Sequence, residues 1–140
     1  MTDLWPDAEV GEIISDGVVL SFEAAAAITK GNPVYLTADM QVSPATAAQN
    51  CIGIALKAVA SGEQCPVCVR GVVKVTAGGT ISRGQAVYGA DSARRVLALA
   101  DQDVNEGGTA TYTIYYSRRL GFALQAFVAA GDEGLVMVEK

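Results

Sequence analysis

The segment Cys65-Pro66-Val67-Cys68 has the spacing of a redox or metal-binding motif. A redox pair of this kind needs its first cysteine at a helix N-terminus, where the helix dipole lowers the thiol pKa, and a zinc site needs further ligands at matching spacing. The run from Cys65 to Val75 instead has the pattern of a strand, in which residues three apart point to opposite faces. We therefore predict packed free thiols, and a thiol oxidoreductase is the least favoured function.

Other candidate chemistry is equally weak. Asp101, Asp103 and Glu106 alternate as in a calcium loop, but the glycine and the bidentate glutamate of such a loop are missing. The chain has no histidine, which removes Ser-His-Asp and Cys-His nucleophile pairs and histidine-ligated zinc. We predict that the protein is not an enzyme and that it uses no metal, cofactor or small-molecule substrate.

The charge of the chain bears on its partners. With 10 Lys+Arg and a net charge of -5, it lacks the basic surface that holds nucleic acid or anionic lipid. Tyr112, Tyr115 and Tyr116 could stack on bases, but the interleaved basic residues of such sites are missing. We predict that these tyrosines pack in the core, at a subunit contact or in a surface loop, and that nucleic acid is not a partner.

No segment predicts a membrane span or a secretory signal. The longest charge-free run, Met40 to Leu56, is interrupted by polar residues and by Pro44, so it cannot form a helix that spans a bilayer. The first residues contain no basic region followed by an apolar stretch. We expect a product of the cytoplasm that does not associate with membranes.

The sequence contains an internal repeat. Residues 28–35, Ile-Thr-Lys-Gly-Asn-Pro-Val-Tyr, align with residues 81–88, Ile-Ser-Arg-Gly-Gln-Ala-Val-Tyr, at an offset of 53. Residues 51–58 align with residues 119–126 at an offset of 68, around a shared Gly-x-Ala-Leu. The second repeat is therefore 15 residues longer, and the insertion falls at about residues 98–118.

The elements inside each repeat are predicted to be short strands. Apolar residues alternate at Val18, Leu20 and Phe22, and Thr109 to Ser117 is rich in the β-branched and aromatic residues that favour strands. Helical candidates are limited to single turns near residues 23–27 and 45–49. The pattern predicts an all-β fold.

The domain organisation follows from the repeat. Residues 11–140 are predicted to form a single β domain in which residues 28–75 and 81–138 are the two similar repeats. Residues 1–10 are predicted to be a flexible, acidic N-terminal arm with one large side chain, Trp5. Tryptophan is a favoured anchor at protein interfaces, so this arm is a candidate contact.

Glycines and small apolar residues at the turns of both repeats resemble those of the small capsid decoration, or cement, proteins of tailed bacteriophages and related viruses. The similarity runs from about Gly11 to Val138. It is carried by Gly31-Asn32-Pro33-Val34-Tyr35, Ile52-Gly53-Ile54-Ala55, Ala60-Ser61-Gly62-Glu63, Val67-x-Val69-x-Gly71-Val72, Ile81-x-x-Gly84-Gln85-Ala86-Val87-Tyr88 and Leu120-Gly121-Phe122-Ala123.

The resemblance implies a compact β-barrel-like or β-tulip-like domain that assembles as a homotrimer. It implies binding to the major capsid protein on the outside of the mature icosahedral head, at three-fold and quasi-three-fold positions, after synthesis in the host cytoplasm. The N-terminal arm of such proteins contacts the shell, which makes Leu4, Trp5, Pro6 and Val10 the candidate shell contacts. The alternative function is a non-catalytic ligand-binding or carrier β-module of a larger complex, which would be a monomer with a concave polar pocket.

Overall fold

The computed structural model describes residues 8–99 and 118–140, except for the side chain of Asp16. The described residues form nine β-strands and contain no α-helix. The strands are β1 (Ile13–Ala24), β2 (Pro33–Ala38), β3 (Gln41–Pro44), β4 (Cys51–Ala55), β5 (Gln64–Thr76), β6 (Ala86–Gly89), β7 (Val96–Ala98), β8 (Arg119–Ala123) and β9 (Glu133–Glu139). The all-β prediction is confirmed.

The nine strands belong to one sheet in the order β1-β3-β2-β4-β5-β9-β8-β6-β7. Strand β1 also pairs with β5, so the pairings of the first five strands close into a ring. The sheet as a whole is not a true barrel, because β9, β8, β6 and β7 continue it beyond β5. Among the described strands, the closed pairing expected of the barrel-like fold is therefore found in β1 to β5 and does not extend to β6 to β9.

Strand pairing repeats between the two halves of the chain. Strand β2 pairs with β4 through Pro33↔Ile54, Val34↔Gly53 and Tyr35↔Cys51, with a register shift before the last pair. Strand β6 pairs with β8 through Ala86↔Phe122, Val87↔Gly121 and Tyr88↔Arg119, with the same shift. These positions are related by the sequence offsets of 53 and 68, so the two strand pairs have equivalent registers.

Extended upstream at the offset of 53, the first repeat includes β1 and the second includes β5, because residues 13–24 correspond to residues 66–77. Strand β5 therefore belongs to both repeats. It ends the first repeat, where Glu23 of β1 lies opposite Gln64, and begins the second, where Thr76 lies opposite Glu133 of β9. Its 13 residues give it the length to pair with β1 along one edge and with β4 and β9 along the other. One strand thus serves as the common centre of the sheet.

The core consists of two apolar clusters. The larger one combines residues of both repeats, including Cys51, Ile54, Cys68, Val136 and Val138. The smaller one is formed by the first repeat alone and includes Cys65 and Val67. Because Cys65 and Cys68 lie in different clusters, they point to opposite faces of β5, as the strand interpretation predicts.

Several local expectations differ from the structure or lie outside it. Residues 25–26 and 46–48 form bends instead of helical turns. Beyond β4, the Leu56 N–H still donates to the Pro66 carbonyl of β5, and Val59 forms an isolated bridge with Ile28. The strand predicted at residues 109–117 and most of the insertion lie outside the described residues.

Candidate functional site

The three thiols are packed inside the protein. Cys51, Cys65 and Cys68 are free and have no exposed surface. Burial raises the pKa of the Cys51 thiol to about 12, and it raises the pKa of Cys65 and Cys68 as well. Reactive cysteines require the opposite shift, whereas burial favours the protonated form of these three thiols. Residues 8–99 and 118–140 hold no cluster of three or more acidic or cysteine side chains suited to a metal ion.

The segment that leads into β1 is attached to the domain. Lys74 of β5 is 1% exposed, and its Nζ donates to the Ala8 carbonyl at 3.2 Å. The Glu9 carboxylate lies 2.9 Å from the Lys30 ammonium, and the Gly11 N–H donates to the Lys74 carbonyl at 2.7 Å. The Lys30 hydrogen bond lowers the pKa of the exposed Glu9 carboxyl. Residues 8–11 are thereby held against β5.

Sequence reasoning did not single out Lys74. The sequence does contain a pattern that points to this residue, because a lysine stands between Val73 and Val75 in an otherwise apolar stretch of strand. A lysine at a buried position of a strand requires polar partners inside the fold. Here those partners are the Ala8 carbonyl and, at 3.9 Å, the carboxylate of Glu133 on β9.

Of the candidate shell contacts, the structure describes only Val10. Its side chain is half-buried and packs beside Gly31, where an added Cβ would come within 2.5 Å of its Cγ1. Leu4, Trp5 and Pro6 lie outside the described residues, as do Tyr112, Tyr115 and Tyr116. The structure therefore places Val10 at the point where the N-terminal segment joins the domain.

Exposed apolar side chains concentrate on the first repeat. Seven large hydrophobic side chains are exposed among the described residues, and five of them belong to β1, to β2 or to the turn that follows β2. These five, which we call the apolar rim, are Val18, Val19, Leu20, Leu36 and Met40. Leu36 and Met40 share a shallow hollow with Phe22 of β1. The sequence signal was the succession Val18-Val19-Leu20, which places apolar residues on both faces of a strand.

A second surface feature is an open groove between the two repeats. Its lining includes Tyr35, Ile52, Arg118, Arg119 and Lys140. The Arg119 guanidinium lies 3.4 Å from the Glu139 carboxylate, and the Lys140 ammonium donates to the Arg119 carbonyl at 3.1 Å. The basic pair Arg118-Arg119 is thus engaged at the groove wall.

Arg95 has a structural role. The Arg95 guanidinium contacts the Asp91 carboxylate at 2.9 Å, within the turn that precedes β7. Partial burial acts to raise the pKa of Asp91, but the hydrogen bonds from Arg95 outweigh it and leave that pKa lowered. Asp91 therefore shapes the turn through its hydrogen bonds to Ala93 and Arg95.

The described residues thus form surfaces suited to binding, and they do not place a set of reactive side chains together. Their geometry suits binding through an apolar rim, an anchored N-terminal segment and a groove. Residues 8–99 and 118–140 include no helical segment with the length and hydropathy of a transmembrane span.

Comparison with known proteins agrees with this description. The crystal structure of the head fiber gp8.5 N base in bacteriophage phi29 is similar, with a TM-score of 0.55 and 16% sequence identity, over 87% of this chain and 93% of that chain. No curated relative matches the chain. The model of the family described as phage cement protein matches residues 5–61 and residues 45–138, which together span nearly the whole sequence. The chain therefore belongs to the phage cement protein family, a family of structural, capsid-associated proteins.

Proposed function

We propose that this protein decorates the outside of a mature icosahedral phage head, where it binds the major capsid protein and stabilises the shell. The observation that carries the proposal is the match to the cement family across residues 5–138. The similarity to a phage head fiber base adds support at the level of the fold. The packed thiols support a role without chemistry.

A cement protein stabilises a shell through linkage. It binds neighbouring subunits of the assembled shell and not the separated subunits, so its binding free energy adds to the stability of the assembled state. We propose a homotrimer at three-fold and quasi-three-fold positions, because a symmetric oligomer engages three shell contacts as one multivalent unit. The candidate trimer or surface-loop residues remain Tyr112, Tyr115 and Tyr116.

The candidate shell contacts are Leu4, Trp5, Pro6 and Val10. The attachment of residues 8–11 to β5 supports this assignment, since it gives residues 1–7 a defined point of departure from the domain. A large interface side chain such as Trp5 contributes most when the neighbouring backbone is held in place, because less conformational entropy is then lost on binding.

The test is co-sedimentation with expanded heads that lack the protein. We expect that deleting residues 1–7, or changing Trp5→Ala, weakens binding at least about tenfold, as the loss of an interface anchor does. Light scattering should show that the variants keep the oligomeric state of the wild type. Val128→Ala, on an exposed turn of the second repeat, is the control. Unchanged binding of both N-terminal variants would refute the role of this segment.

A further inference from the structure

Strand β1 has an edge that no other described strand covers. Residues 13–23 of β1 pair with β5 on one side, whereas within residues 8–99 and 118–140 the other side pairs with β3 only at Glu23 and Ala24. The Ala24 N–H donates toward β5, to the Glu63 carbonyl, and the Glu23 N–H donates the other way, to the Met40 carbonyl. The register is unbroken from Val19 to Glu23. The backbone groups of Val19 and Ser21 therefore point away from β5, to what we call the open edge of β1.

The open edge lacks the usual protection of an exposed strand. Residues 17–22, Gly-Val-Val-Leu-Ser-Phe, contain no charge and no proline, although proteins commonly place such residues on edges to prevent pairing with other chains. Val18, Val19 and Leu20 are 44–45% exposed, and Met40 at the end of the edge is 59% exposed. The apolar rim thus surrounds a row of backbone groups that can accept a strand.

The second repeat shows what covers the equivalent edge. By the offset of 53, Ser21 corresponds to Lys74 and Leu20 to Val73. The Lys74 N–H donates to the Glu12 carbonyl at 3.2 Å, and its own carbonyl accepts from Gly11. Val73 is completely buried, whereas Leu20 is 44% exposed. In the second repeat, an extended segment of this same chain covers the edge and completes the burial.

We propose that the open edge of β1 and the apolar rim are covered by a second molecule of this protein, as a contact between subunits. The inference rests on the self-association proposed above and names the surface that performs it. It follows from the repeat, because the equivalent edge already pairs with this protein's own backbone. Charge does not oppose the contact at this surface: each molecule carries a net charge of -5, but residues 17–22 are uncharged and bring no like charges face to face.

The first test introduces a charge at the edge. Leu20→Lys should convert the oligomer to monomers in light scattering, because lysine on an edge strand opposes pairing and burial. Val19→Lys, on the opposite face of the strand, should do the same. Val128→Lys, at a 64% exposed position of the second repeat, should leave the oligomer intact. If both edge variants stay folded and oligomeric, or if the wild type is monomeric, the inference is wrong.

A second measurement avoids disturbing the fold. The three native thiols are buried, so Leu20→Cys supplies the one exposed cysteine of the chain. In the oligomer, its maleimide labelling should be at least about tenfold slower than that of Val128→Cys, and the two rates should converge after dissociation in mild denaturant. Equal rates in the oligomer would overturn the inference.

Failure of the inference can be told apart from failure of the proposed function. Co-sedimentation with heads is measured on the same wild-type preparation. Wild type that binds heads while both edge variants stay folded and oligomeric contradicts only the subunit contact. Wild type that does not bind heads contradicts the decoration role, whatever the oligomeric state of the variants.

Discussion

Cys51 is a neutral thiol sealed in the larger core cluster, where its Sγ donates to the Gly89 carbonyl at 3.4 Å. Its pKa is raised from 9.0 to about 12, so the folded state keeps the proton while the unfolded chain loses it as the pH rises above 9. The stability that this thiol contributes is complete below pH 9 and declines as the pH approaches 12.

We predict that the free energy of unfolding of the wild type falls between pH 9 and 12 more steeply than that of Cys51→Ala. Urea denaturation of both proteins across this interval measures the difference. The comparison cancels the titration of tyrosines and lysines, which the two proteins share. Parallel pH profiles would show that the Cys51 thiol does not contribute.

Lys74 is the residue that links the N-terminal segment to the sheet. Lys74→Ala should lower the free energy of unfolding by about 2 kcal/mol, because it removes a buried hydrogen bond and leaves a cavity. Lys74→Met keeps most of the volume, so it should cost about half as much. In both variants, hydrogen exchange at Gly11, whose N–H donates to the Lys74 carbonyl, should accelerate. Protected amides in both variants would contradict the anchoring role of Lys74.

At the scale of the strand, the repeated glycines of β4 and β8 have the same physical cause. A Cβ at Gly53 would overlap the Cys68 carbonyl oxygen of β5, and one at Gly121 would overlap the Met137 carbonyl oxygen of β9. Each glycine thus permits close approach of a neighbouring backbone at equivalent points of the two repeats.

We predict that Gly53→Ala and Gly121→Ala each destabilise the protein by about 1–3 kcal/mol, as overpacking against an immobile backbone does. Gly79→Ala is the control, because a Cβ there would meet no atom within 4 Å and its φ is not positive. Its free energy of unfolding should stay within about 0.5 kcal/mol of the wild type. Thermal and urea denaturation of the three variants test the equivalence of the repeats, which fails if only one of the first two is destabilised.

Much of the strand pattern could be predicted from the sequence, for reasons that these glycines illustrate. Matching Gly-x-Ala-Leu segments produced matching turns and registers, and alternation placed Cys65 and Cys68 on opposite faces. The double role of β5 could not be predicted, because which strands pair depends on long-range packing and not on local pattern. The open edge of β1 could not be predicted either, since an alternating apolar strand has the same sequence whether both of its edges are paired or only one.

The features of the candidate site also differ in whether the sequence could predict them. The family could be identified from turn residues spread over the chain, and the family model confirms it. The anchoring of residues 8–11 could not be predicted from the sequence, because it depends on a lysine 66 positions away from Ala8. The apolar rim unites residues of β1 with residues at and beyond β2, which only the folded sheet brings together.

The whole molecule combines one sheet, an anchored N-terminal segment and an apolar rim. The 51% hydrophobic content is high for a chain with 18% charged residues. The folded sheet buries part of it in two clusters, and the rim leaves another part exposed on one side of the first repeat. A surface of that kind is typical of a protein that functions in an assembly.

If this protein stabilises an assembled head, it should raise the temperature at which purified expanded heads break and release DNA. This temperature is measured with and without saturating protein. Linkage adds about 2.7 kcal/mol per site at a free concentration of about 100 times Kd, so the disruption temperature should rise with protein concentration and then level off. An unchanged disruption temperature for heads incubated with excess protein would contradict the account.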